Sequence, residues 1–338
     1  MKPLVSLVTP CYNAEAFIDR HLANVLAQTY RPIELILVDD GSCDGTLDRA
    51  ESWRSRLEAS GARLVLLAQD HRGQAAAINR GLPAVTGMYV SWPDCDDLMR
   101  PDNLSRKVDY LESHPEAGFV CCSVANVAEG ALDEVTSVTR VADTTDPWLF
   151  DRLIRDSGAY CLDIAYLARS SALFSSLGGR RIYESPAGQN FQLLLPLAYH
   201  WPCGFIDEPL ASYVARPGSH SHSFASYQQQ VQRTRDFEAL LHHVLDAMEM
   251  DPVDRERYGR YVDEKFLPRR FMLALGAGDR ELVRESKAAL RRARGTTVSL
   301  ELAALASELG LGRAAYGARE LLLRCRARAG RAVRRWAR

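Results

Sequence analysis

Three carboxylates, Asp94, Asp96 and Asp97, close the stretch Tyr89-Val-Ser-Trp-Pro-Asp-Cys-Asp-Asp97. The apolar run before them, Met88 to Val90 with Trp92, has the composition of a strand; Leu98 follows, then Pro101, which bars further pairing. Carboxylates crowded at one strand end repel one another, so a cation between them is their natural complement. Asp94 and Asp96 stand two residues apart and from a strand end or tight turn could aim at one point. Hard oxygen ligands of this kind suit Mg2+ or Mn2+, which would in turn hold a diphosphate. The plainer reading of the same residues is an acidic turn that caps the next helix.

Three more polar segments follow apolar runs in the same way. Leu4–Thr9 leads into Pro10-Cys11-Tyr12-Asn13, Pro32–Val38 into Asp39-Asp40-Gly41-Ser42, and Arg63–Ala68 into His71-Arg72-Gly73. Each run is rich in β-formers and reads as a buried strand. Between them, Ala14–Gln28 has helical spacing through Phe17, Ile18, Leu22, Val25 and Leu26, with Asn13 as its cap or as a binding residue. A second helix starts at Asp44 or Thr46 and runs to about Ala59, and Gly73–Gly81 is a loop entering a third. Strands alternating with helices in this way predict an α/β fold, a parallel doubly wound sheet. Ligands of such sheets bind beyond the carboxyl ends of the strands, where all four polar segments fall.

The opening, Val-Ser-Leu-Val-Thr-Pro-Cys-Tyr-Asn-Ala-Glu15 and then Gln28-Thr-Tyr-Arg-Pro through Val-Asp-Asp40-Gly-Ser-Cys-Asp-Gly-Thr46, resembles glycosyltransferase family 2. Gly73-Gln-Ala-Ala-Ala-Ile-Asn79-Arg-Gly81 and Asp94-Cys-Asp-Asp97 continue the resemblance in order; it is close over about the first 110 residues and thins afterwards. It implies the GT-A fold, a Rossmann-like, mostly parallel sheet with helices on both faces, and an inverting, metal-dependent transfer from a nucleotide-sugar, most often a UDP-sugar. It also implies roles. Pro10 and Tyr12 line the base pocket, Asp40 hydrogen-bonds the base, Glu15 helps fix the nucleoside, Asp94 sits near the ribose and sugar, and Asp96 ligates the metal. Gly73 and Asn79 belong to the same nucleotide-binding set. His71 stands where many relatives carry Asn, and Ile78 where many carry Arg. Arg72 could supply the missing positive charge near the phosphates; a solvated surface arginine is the alternative.

Leu177–Pro196 resembles the family's acceptor segment, in which a Gly-Gly turn precedes a Glu-Asp pair opening a helix, the Asp being the general base. Here Gln189-Asn190 occupy those positions, and neither amide accepts a proton at neutral pH. Three readings stand open: Glu184 takes over as base, Asp163 or Asp207 reaches in from another loop, or the acceptor is a nucleophile that needs less activation, such as a thiol. Glu184 leads, and Gln189 and Asn190 then orient acceptor or sugar by hydrogen bonds. Downstream, His220 or His222 offers a metal or phosphate contact, or is a surface histidine, and Arg216 is a candidate for the diphosphate.

Further elements are expected at Leu104–Leu111 (helix), Gly118–Val124 (strand), Ala131–Val141 (hairpin or edge strand), Asp146–Ser157 (helix, with Trp148 facing inward), Ile164–Ala168 (strand), Ser170–Leu177 (helix), and two strands from Cys203 to Val214. The domain organisation read from the chain is a catalytic domain over 1–224, divided at 110 into nucleotide-sugar and acceptor halves, and a helical carboxyl-terminal domain over 225–338. The tail, 314–338, holds eight arginines against one glutamate, with Leu321, Leu322, Leu323, Val333 and Trp336 beside them. Such a segment suits an anionic membrane surface, and hence a lipid-linked acceptor, or is simply a solvated terminus.

Composition bounds the remainder. With 338 residues, 47% hydrophobic and 25% charged, the chain is an ordinary globular one, and a net charge of −1 argues against bulk nucleic-acid binding. Eight cysteines without C-x-x-C spacing suggest neither a zinc site nor a disulfide framework. The start lacks a signal-peptide pattern, and no window reaches the ~18 apolar residues of a membrane span, so the reducing cytoplasm is the expected compartment, with peripheral contact at the inner face of the plasma membrane. A dinucleotide oxidoreductase is disfavoured because no G-x-G-x-x-G follows the first strand, and a nucleotidyltransferase because no Gly-rich phosphate loop does. A nucleotide-sugar-binding protein with little or no transferase activity is the remaining alternative, because of Asn190.

Overall fold

The computed structural model describes residues 2–186, 188–216, 226–293 and 297–317. His220, His222 and the arginine-rich stretch from 318 onward, for which a metal role and a membrane role are expected, lie outside the described residues. The described residues divide into two compact units, one within Met1–His222 together with Asp246–Glu249, the other within Ser223–Leu245 and Met250–Arg338.

The first unit is built on one sheet of nine strands: β1 (Val5–Cys11), β2 (Ile33–Asp39), β3 (Ala62–Ala68), β4 (Tyr89–Ser91), β5 (Leu98–Met99), β6 (Phe119–Ala128), β7 (Ser137–Thr139), β8 (Tyr166–Arg169) and β9 (Cys203–Ala215). Their order is β3-β2-β1-β4-β8-β6-β9-β5, with β7 paired to β6. Every residue of β1 and β2 is buried, as a central strand covered on both faces requires. Val5 pairs with Ile33 and, on its other side, with Tyr89, both in parallel register, so the loops after β1, β2, β3 and β4 leave the sheet at one edge.

The expectation of a mostly parallel sheet holds through β4 and is corrected beyond it. β8 runs antiparallel to both β4 and β6, β6 and β9 are parallel, and β5 is antiparallel to β9. Tyr166, Leu167 and Ala168 of β8 are fully buried, and a run buried on both faces reads the same in either direction. Leu98–Met99 pair with Ala211–Ser212 before Pro101 stops the edge. Cys203–Ala215 is one strand and not two: its register against β6 shifts between Cys122 and Val124, and this irregularity accommodates Pro209.

Helices α1 (Ile18–Leu26), α2 (Thr46–Ser52), α3 (Arg54–Ala59), α4 (Gln74–Gly81), α5 (Asn103–Ser113), α6 (Phe150–Ile154), α7 (Ser170–Ser176) and α8 (Gln189–His200) complete this unit. The segment expected as one helix to Ala59 breaks at Trp53, and α1 begins four residues later than Ala14. Asn13 does not cap it: its φ is +47°, a left-handed value that Asn tolerates, and its Oδ1 accepts from Cys43 N–H at 2.9 Å. α6 is shorter than expected, and Trp148 is half exposed while Leu149, Phe150, Leu153 and Ile154 fill the core.

The second unit is helical, with α9 (Tyr227–Ala247), α10 (Pro252–Ala277), α11 (Arg280–Ala293) and α12 (Val298–Glu308). Asp251 caps α10 by accepting from Val253 N–H at 2.8 Å, and Gly278, at φ +78°, ends it in the left-handed conformation. Phe271, Ala274, Leu275, Val283, Leu290 and Ala304 form its core. No described helix is long and apolar enough to cross a membrane.

Candidate active site at the carboxyl edge of the sheet

Asp40, buried just past β2, organises the loop after β3. Its Oδ1 accepts from Gln69 Nε2 at 2.7 Å and from the N–H of Arg72 at 3.0 Å; its Oδ2 accepts from the N–H of Gly73 at 2.7 Å and lies 2.9 Å from His71 Nδ1. Gly41 allows the approach: its φ is +78°, and a Cβ there would meet the backbone nitrogen of His71 at 2.7 Å. The loop so shaped lays the His71 ring on Tyr12, with centroids 3.9 Å apart and planes 22° from parallel. Tyr12 remains 44% exposed, so its ring offers a flat surface to a planar ligand.

Pro10 is buried within β1, paired in register with Val38. Glu15 binds the chain rather than open space: its Oε2 accepts from Gly45 N–H at 3.2 Å, and its Oε1 accepts from Arg49 at 3.1 Å. Together with Ala14 N–H donating to Thr46 Oγ1 at 2.8 Å, this ties the first loop to the second.

The acidic turn after β4 gathers four carboxylates, Asp94, Asp96, Asp97 and, from the other half of the sheet, Asp163. Asp163 Oδ2 accepts the backbone N–H of Asp94 at 2.5 Å, and Gln74 Nε2 donates to Asp94 Oδ1 at 2.5 Å. Asp97 is buried and braces β9 by accepting from Val214 N–H at 2.9 Å. Burial, then the charges of Asp163, Asp96 and Asp97, push the Asp94 carboxyl well above its ordinary range. Burial and the same neighbours, Asp163 foremost, raise Asp97, and burial raises Asp163 to about 6. Asp96 keeps 22% of its side chain exposed. Its Oδ2 lies 2.7 Å from Arg216, whose guanidinium also rests 4.4 Å from the Phe17 ring centre, while its backbone carbonyl accepts from Arg20 at 3.1 Å.

This donor set fits a hard divalent cation held in part by the protein. Among the described residues no group of three acidic, histidine or cysteine side chains is arranged to hold a metal ion. Mg2+ or Mn2+ needs none, because one or two carboxylates suffice when substrate phosphates and water fill the other positions. Carboxylates forced together and driven toward protonation are what a cation would relieve.

The segment before α8 faces the His71 loop. Glu184 receives Arg72 at 2.6 Å and Arg181 at 3.0 Å. Its backbone neighbours are clamped from two sides. Asn79 in α4 donates to Ile182 C=O at 2.8 Å and accepts from its N–H at 2.7 Å. Gln192 in α8 does the same for Tyr183, both at 2.8 Å. Asn79, expected at the nucleotide, thus spends its amide on this segment. Gln189 and Asn190 open α8 immediately after Gly188, which takes a left-handed φ of +78°.

The structure therefore brings Tyr12, Asp40, His71, Arg72, Gly73, Asp94, Asp96, Glu184 and Arg216 to one edge. Asp207 stands apart from it, paired to Arg140 at 2.9 Å. Nothing in the sequence marks Gln69, Gln74 and Arg20 for this edge, or Asp163 as a partner of Asp94. Asp163 is 69 residues from Asp94, and no spacing pattern links them.

Residues 6–162 match the family model for Glycosyl transferase family 2. A putative teichuronic acid biosynthesis glycosyltransferase, TuaG of Bacillus subtilis, is 36% identical over 111 residues, 32% of this chain and 42% of that protein. An uncharacterized glycosyltransferase of Haemophilus influenzae is 34% identical over 113 residues, 33% of this chain and 44% of that protein. The matched stretch thus spans less than half of either relative. Among solved structures, S. aureus TarS 1–349 in complex with UDP-GlcNAc superposes with a TM-score of 0.65 at 17% identity, covering 95% of this chain and 92% of that one. A mannosyltransferase of Pyrobaculum calidifontis, in complex with GDP-Man and Mn2+, does so with a TM-score of 0.53 at 21% identity, covering 94% and 85%. At those identities the superpositions speak for the fold alone, and the nine-stranded mixed sheet is that of the GT-A class. Residues 6–162 thus form a domain that matches glycosyltransferase family 2.

Proposed function

We propose that the chain is an inverting glycosyltransferase that moves a sugar from a nucleoside diphosphate donor, a UDP-sugar, to a hydroxyl of a glycan or lipid-linked acceptor, with Mg2+ or Mn2+ at Asp96. The observation that carries this reading is the convergence, at one sheet edge, of an exposed aromatic stack and a crowded carboxylate turn: a surface for a base beside a place for a cation. The ligands named for the TarS and Pyrobaculum structures, UDP-GlcNAc and GDP-Man with Mn2+, support the donor class.

In this reading the base packs on the open face of Tyr12. The Asp40 carboxylate is already taken by four protein donors, so it serves the base by holding the loop that carries His71. A divalent ion bound at Asp96 would neutralise the leaving diphosphate. Arg72 is exposed and turns from Glu184 to the donor phosphates. Glu184, freed of that partner, takes the proton of the acceptor hydroxyl; the oxygen forms its bond to the anomeric carbon as the bond to the diphosphate breaks on the opposite face. Gln189 and Asn190 orient the acceptor, Arg216 leaves Asp96 for the diphosphate, and His220 or His222 would be a further ligand or phosphate contact. The site works in the cytoplasm, with the basic tail drawing the chain to the inner face of an anionic membrane.

A second reading, a nucleotide-sugar-binding protein without transfer, is favoured by one observation: Glu184 is held between two guanidinium groups. Screening nucleotide-sugars for thermal stabilisation with Mn2+, with and without chelator, tests donor binding. Turnover of the donor so found, lost in Glu184→Gln, separates the two readings; binding without turnover leaves the second.

A further inference from the structure

α12 is built inside out for a helix that meets water. Its inward side is made of small residues, Ala304 and Ser307, both buried, with Leu300 and Ala303 packed on the core of Leu275 and Leu290. Apart from Leu300, its large apolar residues point the other way. Val298, Leu302, Leu305 and Leu309 recur four, three and four residues apart, which puts them on one face, and they are 76%, 61%, 52% and 68% exposed. Leu311, just past the helix, is 57% exposed as well. Single exposed leucines need no explanation, but a contiguous stripe marks a surface that something covers.

The covering partner is indicated by size and by charge. Five side chains fall far short of the ~20 residues a side that a stable protein interface takes. A bilayer needs no such area, since each side chain enters a continuous apolar phase. Of the two glutamates beside the stripe, Glu301 is paired to Lys287 at 2.8 Å and to Arg291 at 2.8 Å, while Glu308 is exposed. In the sequence, eight arginines between Arg319 and Arg338, against Glu320 alone, begin ten residues after Leu309. A shallow apolar stripe followed by a cationic cluster is the pair of signals that together give stable attachment to anionic lipid.

We infer that the exposed face of α12 is a membrane-insertion surface, and that Val298, Leu302, Leu305 and Leu309 enter the acyl boundary of an anionic bilayer. This rests on the membrane contact proposed for the basic tail and adds the element that makes it hydrophobic. The full chain is sedimented with vesicles of phosphatidylcholine alone and with vesicles containing phosphatidylglycerol. Binding is expected to the anionic vesicles only, to weaken with salt, and to fall about tenfold in Leu302→Glu/Leu305→Glu. Both positions are more than half exposed, and Val298→Glu/Leu309→Glu provides an independent check should the first variant lose its thermal transition. Undiminished binding by both variants would overturn the inference and leave the tail as the sole contact. Absence of binding by the unaltered chain would overturn both. A dimer in light scattering that becomes a monomer in Leu302→Glu/Leu305→Glu would overturn it in favour of a second copy of this chain.

Discussion

The Oδ2 of Asp40 accepts the backbone N–H of Gly73 at 2.7 Å, so a carboxylate at the end of the second strand dictates the path of the chain after the third. With three further contacts on the same group, removal of its charge should unmake the loop and not merely one bond. Asp40→Asn places an amide among groups that are mainly donors. It should lower stability by about 2 kcal/mol and raise the UDP dissociation constant about tenfold, read by thermal unfolding and by calorimetry.

Asp96 is a partly exposed carboxylate of the turn and the one proposed to share a cation with the diphosphate. In Asp96→Ala, the gain in UDP affinity on adding Mn2+ should vanish, and turnover should fall about 10²- to 10³-fold. Titration calorimetry with and without the metal checks the first. An Asp96→Ala variant that kept its metal-linked affinity would remove the cation from this site.

For Glu184, proton acceptance and donor binding should separate. Glu184→Gln is expected to lower kcat by about 10²-fold or more with the donor KM little changed. Arg72→Ala should do the reverse in part, raising the donor KM. Steady-state kinetics on the two variants give the comparison, and an unaltered kcat in Glu184→Gln would hand the role to another group.

His21, in α1, is fully buried, and its Nε2 has no hydrogen-bond partner among the described residues. Burial, with the charge of Arg20 nearby, lowers its pKa from 6.5 to about 4. The folded state therefore binds this proton less readily than the unfolded chain does. Stability is fully present above pH 6.5 and is lost as the pH falls toward 4, by up to about 3 kcal/mol from this group. Urea titrations across that window should show the slope in the unaltered chain and a shallower one in His21→Leu.

The edge formed by the first strands is legible in the sequence because its cues are local. β1 and β2 are uninterrupted apolar runs, and each is followed at once by the polar residues that reach the edge. What was misread depends on distant partners. Asn13 has the composition of a helix cap, yet Ser42 and Cys43, about thirty residues on, draw it into a left-handed turn. Trp148 carries the apolar signal of a core residue, but the short α6 leaves it outside. The direction of β8 was hidden because burial on both faces erases polarity. The sequence offers Asp163 as a candidate base; that it receives the Asp94 N–H is a matter of tertiary approach, which residue types alone do not encode.

The clamps on Ile182 and Tyr183 carry a consequence for how such a chain can diversify. Asn79 and Gln192 grip main-chain atoms, so what they hold is indifferent to the letters written there. The rim beside Glu184 is in effect a fixed frame with an exchangeable inscription. Side chains along it can change while the frame stays as it is.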